Sequence, residues 1–226
     1  MHIPDGFLDG RTAVAGGALA AAGLGVALAR VRRTLPPRRV PLIGLAAAFV
    51  FAAQLLNFPV GGGTSGHLVG ATLAAVLLGP SAAVVVMSAV LILQCLMFAD
   101  GGLTALGTNV FNMAIVGGLF SYAVFRGLAF LLPRNRWGFF LAVGVASWFS
   151  VVLASTACAI ELAVSGTVPL ALVLPAMVGV HALIGVGEAI ITVTTLSVVL
   201  ASRPDLVGAW KEFHAEAQRT RRAGVP

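Results

Sequence analysis

Charge is absent from long stretches of this chain. Residues 12–29, 40–58, 68–78, 82–98 and 138–160 contain no Asp, Glu, Lys or Arg. Only 22 of the 226 residues carry charge, 10% where about a quarter is ordinary. With 59% hydrophobic residues, 27 glycines and a mean hydropathy of +1.01, the chain cannot clothe a water-facing surface. A soluble enzyme or binding module is excluded, and so is intrinsic disorder, which requires low hydrophobicity. What remains is an all-α integral membrane protein with about seven transmembrane helices.

The apolar runs are 12–29, 40–58, 68–78, 82–98, 110–132, 138–164 and 168–201. A spanning helix needs about 20 residues. The third run is therefore short, and we read it as starting in the preceding loop or as partly re-entrant. The glycine-rich stretch Pro59–His67 before it reads as a buried loop, since irregular backbone at membrane depth must be enclosed by protein. The seventh run is too long for a straight span. It is expected to start as an outer loop or to kink near Pro169 or Pro175.

Basic residues set the orientation. With the N-terminus outside and seven crossings, 13 of the 14 Lys and Arg residues fall on the cytoplasmic side, Arg126 by snorkelling. Arg11 alone stays outside. The net charge of +6 is thus a topology signal, and no nucleic-acid partner is needed. Acidic Asp5 and Asp9 before the first run, and arginines after it, argue against a cleaved signal peptide. We expect one membrane domain over residues 1–201 and a cytoplasmic tail over 202–226, helical near Asp205–Arg219. Cys95 and Cys158 lie in apolar runs without metal-finger spacing and read as buried hydrophobes.

The opening Met1-His2-Ile3-Pro4-Asp5-Gly6-Phe7-Leu8 carries specific chemistry. A free α-amine, the amide nitrogen of His2 and its imidazole Nδ1 close two adjacent chelate rings around one metal. Three nitrogens then lie in a plane, with a fourth position open. Such ligation suits Ni(II) and Cu(II), with Co(II) a neighbour in the affinity series. Met1 should persist, because a large residue follows it. The competing reading is a solvated histidine at a loose terminus. His67 is the candidate fourth donor, on the same outer side by the topology count. Its competing reading is a solvated histidine on a flexible outer loop.

Other polar residues have two readings as well. Ser65, Gln94, Thr108 and Asn109, with Asn112, could orient the histidines from a second shell, or could simply bond helices together. His181 and Glu188, seven residues apart on one helical face, form an intramembrane polar pair. A structural clasp between helices is the favoured reading of it. The row Ala13, Gly17, Ala21, Gly25 and Ala29 permits close helix packing, either within the protein or against a partner subunit. No HExxH motif, Walker A loop or Gly-x-Ser-x-Gly motif is present, so hydrolytic enzyme chemistry is not indicated.

The opening octapeptide and Gly66-His67 resemble the CbiM/NikM family, the substrate-binding S-components of energy-coupling factor (ECF) cobalt and nickel transporters. So do Asp100–Asn109 with Asn112-Met113, Glu161–Gly166 and His181–Glu188, which together cover nearly the whole chain. The resemblance implies an ECF S-component-like bundle with an extra N-terminal helix, in a prokaryotic cell membrane. It implies Ni2+ or Co2+ as transported substrate, held by the Met1 amine, the His2 amide and imidazole, and the His67 imidazole. Implied partners are a transmembrane coupling subunit, two cytoplasmic ATPase subunits and a small auxiliary membrane subunit. Pro4-Asp5 leans towards nickel. A stand-alone secondary divalent-metal transporter is the alternative. It would be expected to line a mid-membrane path with acidic residues, where this chain has Glu188.

Overall fold

The computed structural model describes residues 1–60 and 64–214. Helix α1 (Gly10–Thr34) starts where Asp9 offers its carboxylate to the N–H groups of Arg11 and Thr12, at 2.7 and 2.9 Å. This cap satisfies donors that a helix start leaves free. Its packed face is Gly16, Ala20 and Ala27, with Gly23 against Ile115. The row anticipated from the sequence, Ala13 to Ala29 in steps of four, leaves this face, and Ala21, Gly25 and Ala29 are exposed. A step of four residues overshoots one full turn by about 40°, so such a row winds off the contact. Of that row Gly17 keeps a close approach, since a Cβ on Gly107 would lie 2.5 Å from its Cα, and its neighbour Gly16 packs on Thr108.

After α2 (Val40–Gln54) the chain turns back as an antiparallel hairpin, β1 (Asn57–Val60) and β2 (Thr64–His67), pairing Asn57 with His67 and Val60 with Thr64. Its glycine tip, residues 61–63, lies outside the described residues. The stretch 68–70 is neither helix nor strand, and α3 (Ala71–Leu78) is buried at all eight positions. Gly79-Pro80 ends α3 and opens α4 (Pro80–Phe98). Then α5 (Leu106–Val110), a π-helical segment Phe111–Phe120 and α6 (Ser121–Leu131) form one apolar rod. Wider π turns leave carbonyls poorly bonded. Here the Gly117 oxygen accepts from the hydroxyls of Ser150 and Ser121, at 2.6 and 2.5 Å.

Helix α7 (Arg136–Val164), capped by the Asn135 side chain on Gly138 N–H, packs along α8 (Leu170–Ser202). Pro169 caps α8, and the helix runs on through Pro175 for 33 residues. At 1.5 Å per residue it is about 50 Å long, more than a bilayer core. Pro175 sits in its second turn, where the carbonyl four residues back belongs to the first helical turn.

Five helices are long and apolar enough to cross a membrane: Gly10–Thr34, Pro80–Phe98, Leu106–Leu131, Arg136–Val164 and Leu170–Ser202. The chain is thus a multi-pass membrane protein, but the count of seven such helices is not met among the described residues. The second run loses its end to the hairpin. The third is an eight-residue helix, about 12 Å, entered through non-helical chain. That stretch survives without water because buried side chains serve its backbone. The Glu188 carboxylate accepts from Val69 and Gly70 N–H, and Gln54 Nε2 donates to Val69 O at 2.7 Å.

The tail begins as part of the core. Residues 208–214 are helical, and Trp210 and Phe213 meet Phe139 edge to face at 4.8 and 5.6 Å. The end of the helix expected over Asp205–Arg219 lies outside the described residues.

Candidate metal centre

The first residues of the chain are among its most buried. Met1 and Ile3 are inaccessible and His2 is 4% exposed. A strap of pegs holds them. Asn109 accepts from Ile3 N–H at 2.9 Å and donates back to Ile3 O at 3.1 Å, and Gly102 N–H adds a second donor at 2.8 Å. One Asp5 oxygen accepts from both the N–H and the hydroxyl of Thr104, at 2.7 and 2.6 Å. Thr167 donates its hydroxyl to Phe7 O. Gly6, with φ of 81°, turns the strap in a conformation that favours glycine. Gly102 has no room for a side chain, since a Cβ there would lie 2.3 Å from Asp5 N.

The terminus ends beside the hairpin. The Met1 amine donates to Ser65 O and lies 3.3 Å from Ser65 Oγ. The rings of His2 and His67 face each other with centroids 4.5 Å apart. His67 is fully buried, its Nδ1 2.7 Å from Leu68 O. Donation of the Nδ1 proton to that carbonyl leaves a lone pair on Nε2, which has no protein partner. His2 Nε2 is likewise buried and unpartnered. His2 Nδ1 lies 2.7 Å from Asp100 Oδ1, at ion-pair distance but out of line for a hydrogen bond.

Burial also sets protonation. Desolvation lowers the Met1 amine from 8.0 to about 5 and draws both His2 and His67 below the ordinary histidine value. All three groups are therefore neutral near pH 7, as nitrogen ligands must be. Among the described residues no group of three or more His, Cys, Asp and Glu side chains converges. The Met1 amine and the two imidazoles are the nitrogen donors that the strap and the hairpin bring together here.

The remaining candidates divide. Ser65 and Asn109 touch residues 1 and 3 of the strap. Gln94 and Thr108 are buried with side chains that bond neither histidine, and Thr108 abuts Gly16 of α1. Asn112 donates to Glu161 at 2.5 Å. His181 and Glu188 share the buried face of α8 but take separate partners: His181 Nδ1 meets Met177 O, while Glu188 serves the backbone beyond His67. They form no mutual pair, because at their spacing of seven residues each reaches backbone nearer to it. Asp100 was not foreseen from the sequence as a neighbour of His2. In the sequence it stood only as the first residue of the Asp100–Asn109 motif, with no role assigned to it. It lines a surface-open cavity of about 530 Å³ together with His2, Asp5 and Ser65.

The family described as "CbiM: Cobalt uptake substrate-specific transmembrane region" matches residues 2–206. The chain belongs to the CbiM family. Among relatives of this family, a putative fused nickel transport protein NikMN of Archaeoglobus fulgidus is 43% identical over 92% of this chain and 68% of its own length. A fused nickel transport protein NikMN of Rhodobacter capsulatus is 36% identical over 92% of this chain and 64% of its own. A cobalt transport protein CbiM 2 of Pelobacter propionicus is 33% identical over 92% and 95%. A crystal structure described as a truncated transition metal transporter is similar with a TM-score of 0.82 and 33% identity. It covers 89% of this chain and 99% of its own.

Proposed function

We propose that this CbiM-family chain is the S-component of an ECF-type importer for Ni2+ or Co2+. The observation that carries the reading is the burial of a free α-amine beside two facing, neutral imidazoles. The ion is bound by the Met1 amine, the His2 amide nitrogen, the His2 imidazole and the His67 imidazole. Four nitrogens around one ion favour late first-row divalent metals over Mg2+ and Ca2+, which prefer oxygen. The names of the nickel and cobalt transport relatives support the same substrates.

The site opens on the outer face, with the N-terminus outside and the basic loops and tail in the cytoplasm, as the arginine distribution supports. In this reading ATP is hydrolysed by two partner ATPase subunits acting through a transmembrane coupling subunit, with a small auxiliary membrane subunit, as the family resemblance implies. The test is metal analysis on untagged protein. Nickel or cobalt should be retained at one ion per chain, and His67→Ala should weaken binding by at least a hundredfold. His214→Ala, altered in the helix that carries Trp210, should leave binding unchanged. Equal affinity of His67→Ala and the parent protein would overturn the reading.

A further inference from the structure

We propose that Asp100 is the capture group of this site: its carboxylate receives the hydrated divalent cation in the outer cavity and passes it to His2, setting the loading rate without joining the final donor set. The proposal rests on the nitrogen site proposed above and adds a step that precedes it.

Three observations converge on Asp100. It lines the surface-open cavity of about 530 Å³, far larger than one hydrated ion needs. Its side chain is 26% exposed, while the His2 ring beneath it is 3% exposed, so the carboxylate is met before the imidazole. Its Oδ1 lies 2.7 Å from His2 Nδ1, and its Oδ2 lies 3.5 Å from Asn57 Nδ2. Among the described residues that line the cavity there is no Lys or Arg. Asp5 lines the same cavity, its Oδ1 tied to Thr104, and Asp9 starts α1 nearby in sequence, so carboxylates outnumber the single Arg11 in this part of the chain. His2, nine-tenths buried with an unpartnered Nε2, is the second sign that the cavity serves a ligand.

Chemistry separates the two steps. A carboxylate attracts any hydrated dication by charge, so capture is steered and unselective. The nitrogen set then imposes selection. Asp100 lies next to the nitrogen that must close the second chelate ring, so the ion it holds is one ligand exchange from its final place. Oppositely charged lining of a cleft raises association rates by about 10- to 1,000-fold and makes them sensitive to salt.

The experiment is stopped-flow loading of the untagged, full-length protein with Ni2+, with Asp100→Asn as the variant. Asparagine keeps the size and the turn. The association rate should fall at least tenfold and lose most of its salt dependence, while the dissociation rate and the ligand-field absorption of the bound ion stay as in the parent. An unchanged association rate overturns the proposal. So does a changed spectrum or dissociation rate, which would make Asp100 a ligand. A second measurement needs no variant: millimolar Mg2+ should slow Ni2+ loading of the parent protein without displacing bound Ni2+, and no slowing counts against capture. Failure of the nitrogen site itself would look different. The parent protein would then bind Ni2+ equally well with its terminus acetylated, whatever Asp100→Asn does.

Discussion

Glu188 on α8 accepts the N–H of Gly70 at 2.7 Å and that of Val69 at 2.9 Å, three and two residues beyond His67. A buried carboxylate thus sustains the non-helical chain that follows His67, a residue of the proposed metal centre. Both oxygens are engaged, so the acceptor must be a carboxylate rather than an amide.

Glu188→Gln turns one acceptor into an N–H facing an N–H. Each hydrogen bond to a charged group is worth about 1.5–3 kcal/mol. The variant should lose at least tenfold in Ni2+ affinity, through a misplaced His67, and should melt at lower temperature in detergent. Titration of both proteins checks this. Parent-like affinity in a protein with lowered stability would separate Glu188 from the metal centre.

The buried amine makes a stricter prediction. Adding one residue before Met1, or acetylating it, should abolish metal binding while circular dichroism keeps its helical signal. Met1 has no exposed surface, so an added residue has nowhere to go without withdrawing the strap.

Protonation can be predicted with its sign. A docked amine titrating at about 5, against 8.0 when free, means that the undocked terminus takes up a proton between these values and the docked one does not. Docking is therefore strongest above pH 8. It weakens by up to tenfold per unit as pH falls towards about 5, and changes little below that. It also means that Ni2+ binding at pH 7 releases about one proton, from the His2 amide, since the amine is already neutral. Calorimetry in buffers of different ionisation enthalpy measures this number. About two protons would show the docked amine to be charged.

Gly102→Ala tests the strap from the other side. The new methyl would fall 2.3 Å from Asp5 N and 2.6 Å from Pro4 C, both backbone. The strap must lift, and affinity should fall at least tenfold with the helices intact. Gly127→Ala, where a Cβ meets nothing within 4 Å, is the matched control and should bind as the parent does.

The candidate centre was legible in part: the two histidines singled out from the sequence lie with ring centroids 4.5 Å apart. A histidine after the first residue has the covalent geometry for a chelate, and Gly66 beside residue 67 marks a close approach, since a Cβ there would lie 2.7 Å from Ile184 Cδ1. The separate partners of His181 and Glu188 were not legible, since helical spacing places residues on a face without naming what faces them. The same limit hid the contact row of α1: small residues recur at several spacings, and the neighbour, here α5 and Ile115, selects one. Asp100 opened a motif in the sequence, but its place beside His2 was not legible, because it depends on a loop meeting a terminus some hundred residues away.

The sequence alone determined that this chain is apolar enough for a bilayer and that a histidine follows its first residue, where a chelate could close. Both follow from composition and covalent chemistry, which need no fold. The tertiary structure decided how many helices are long enough to span, and it let a short buried helix and bare backbone stand in the interior. That backbone is tolerable only where a distant carboxylate and a distant amide meet its polar groups, and distance along a chain carries no record of such meetings.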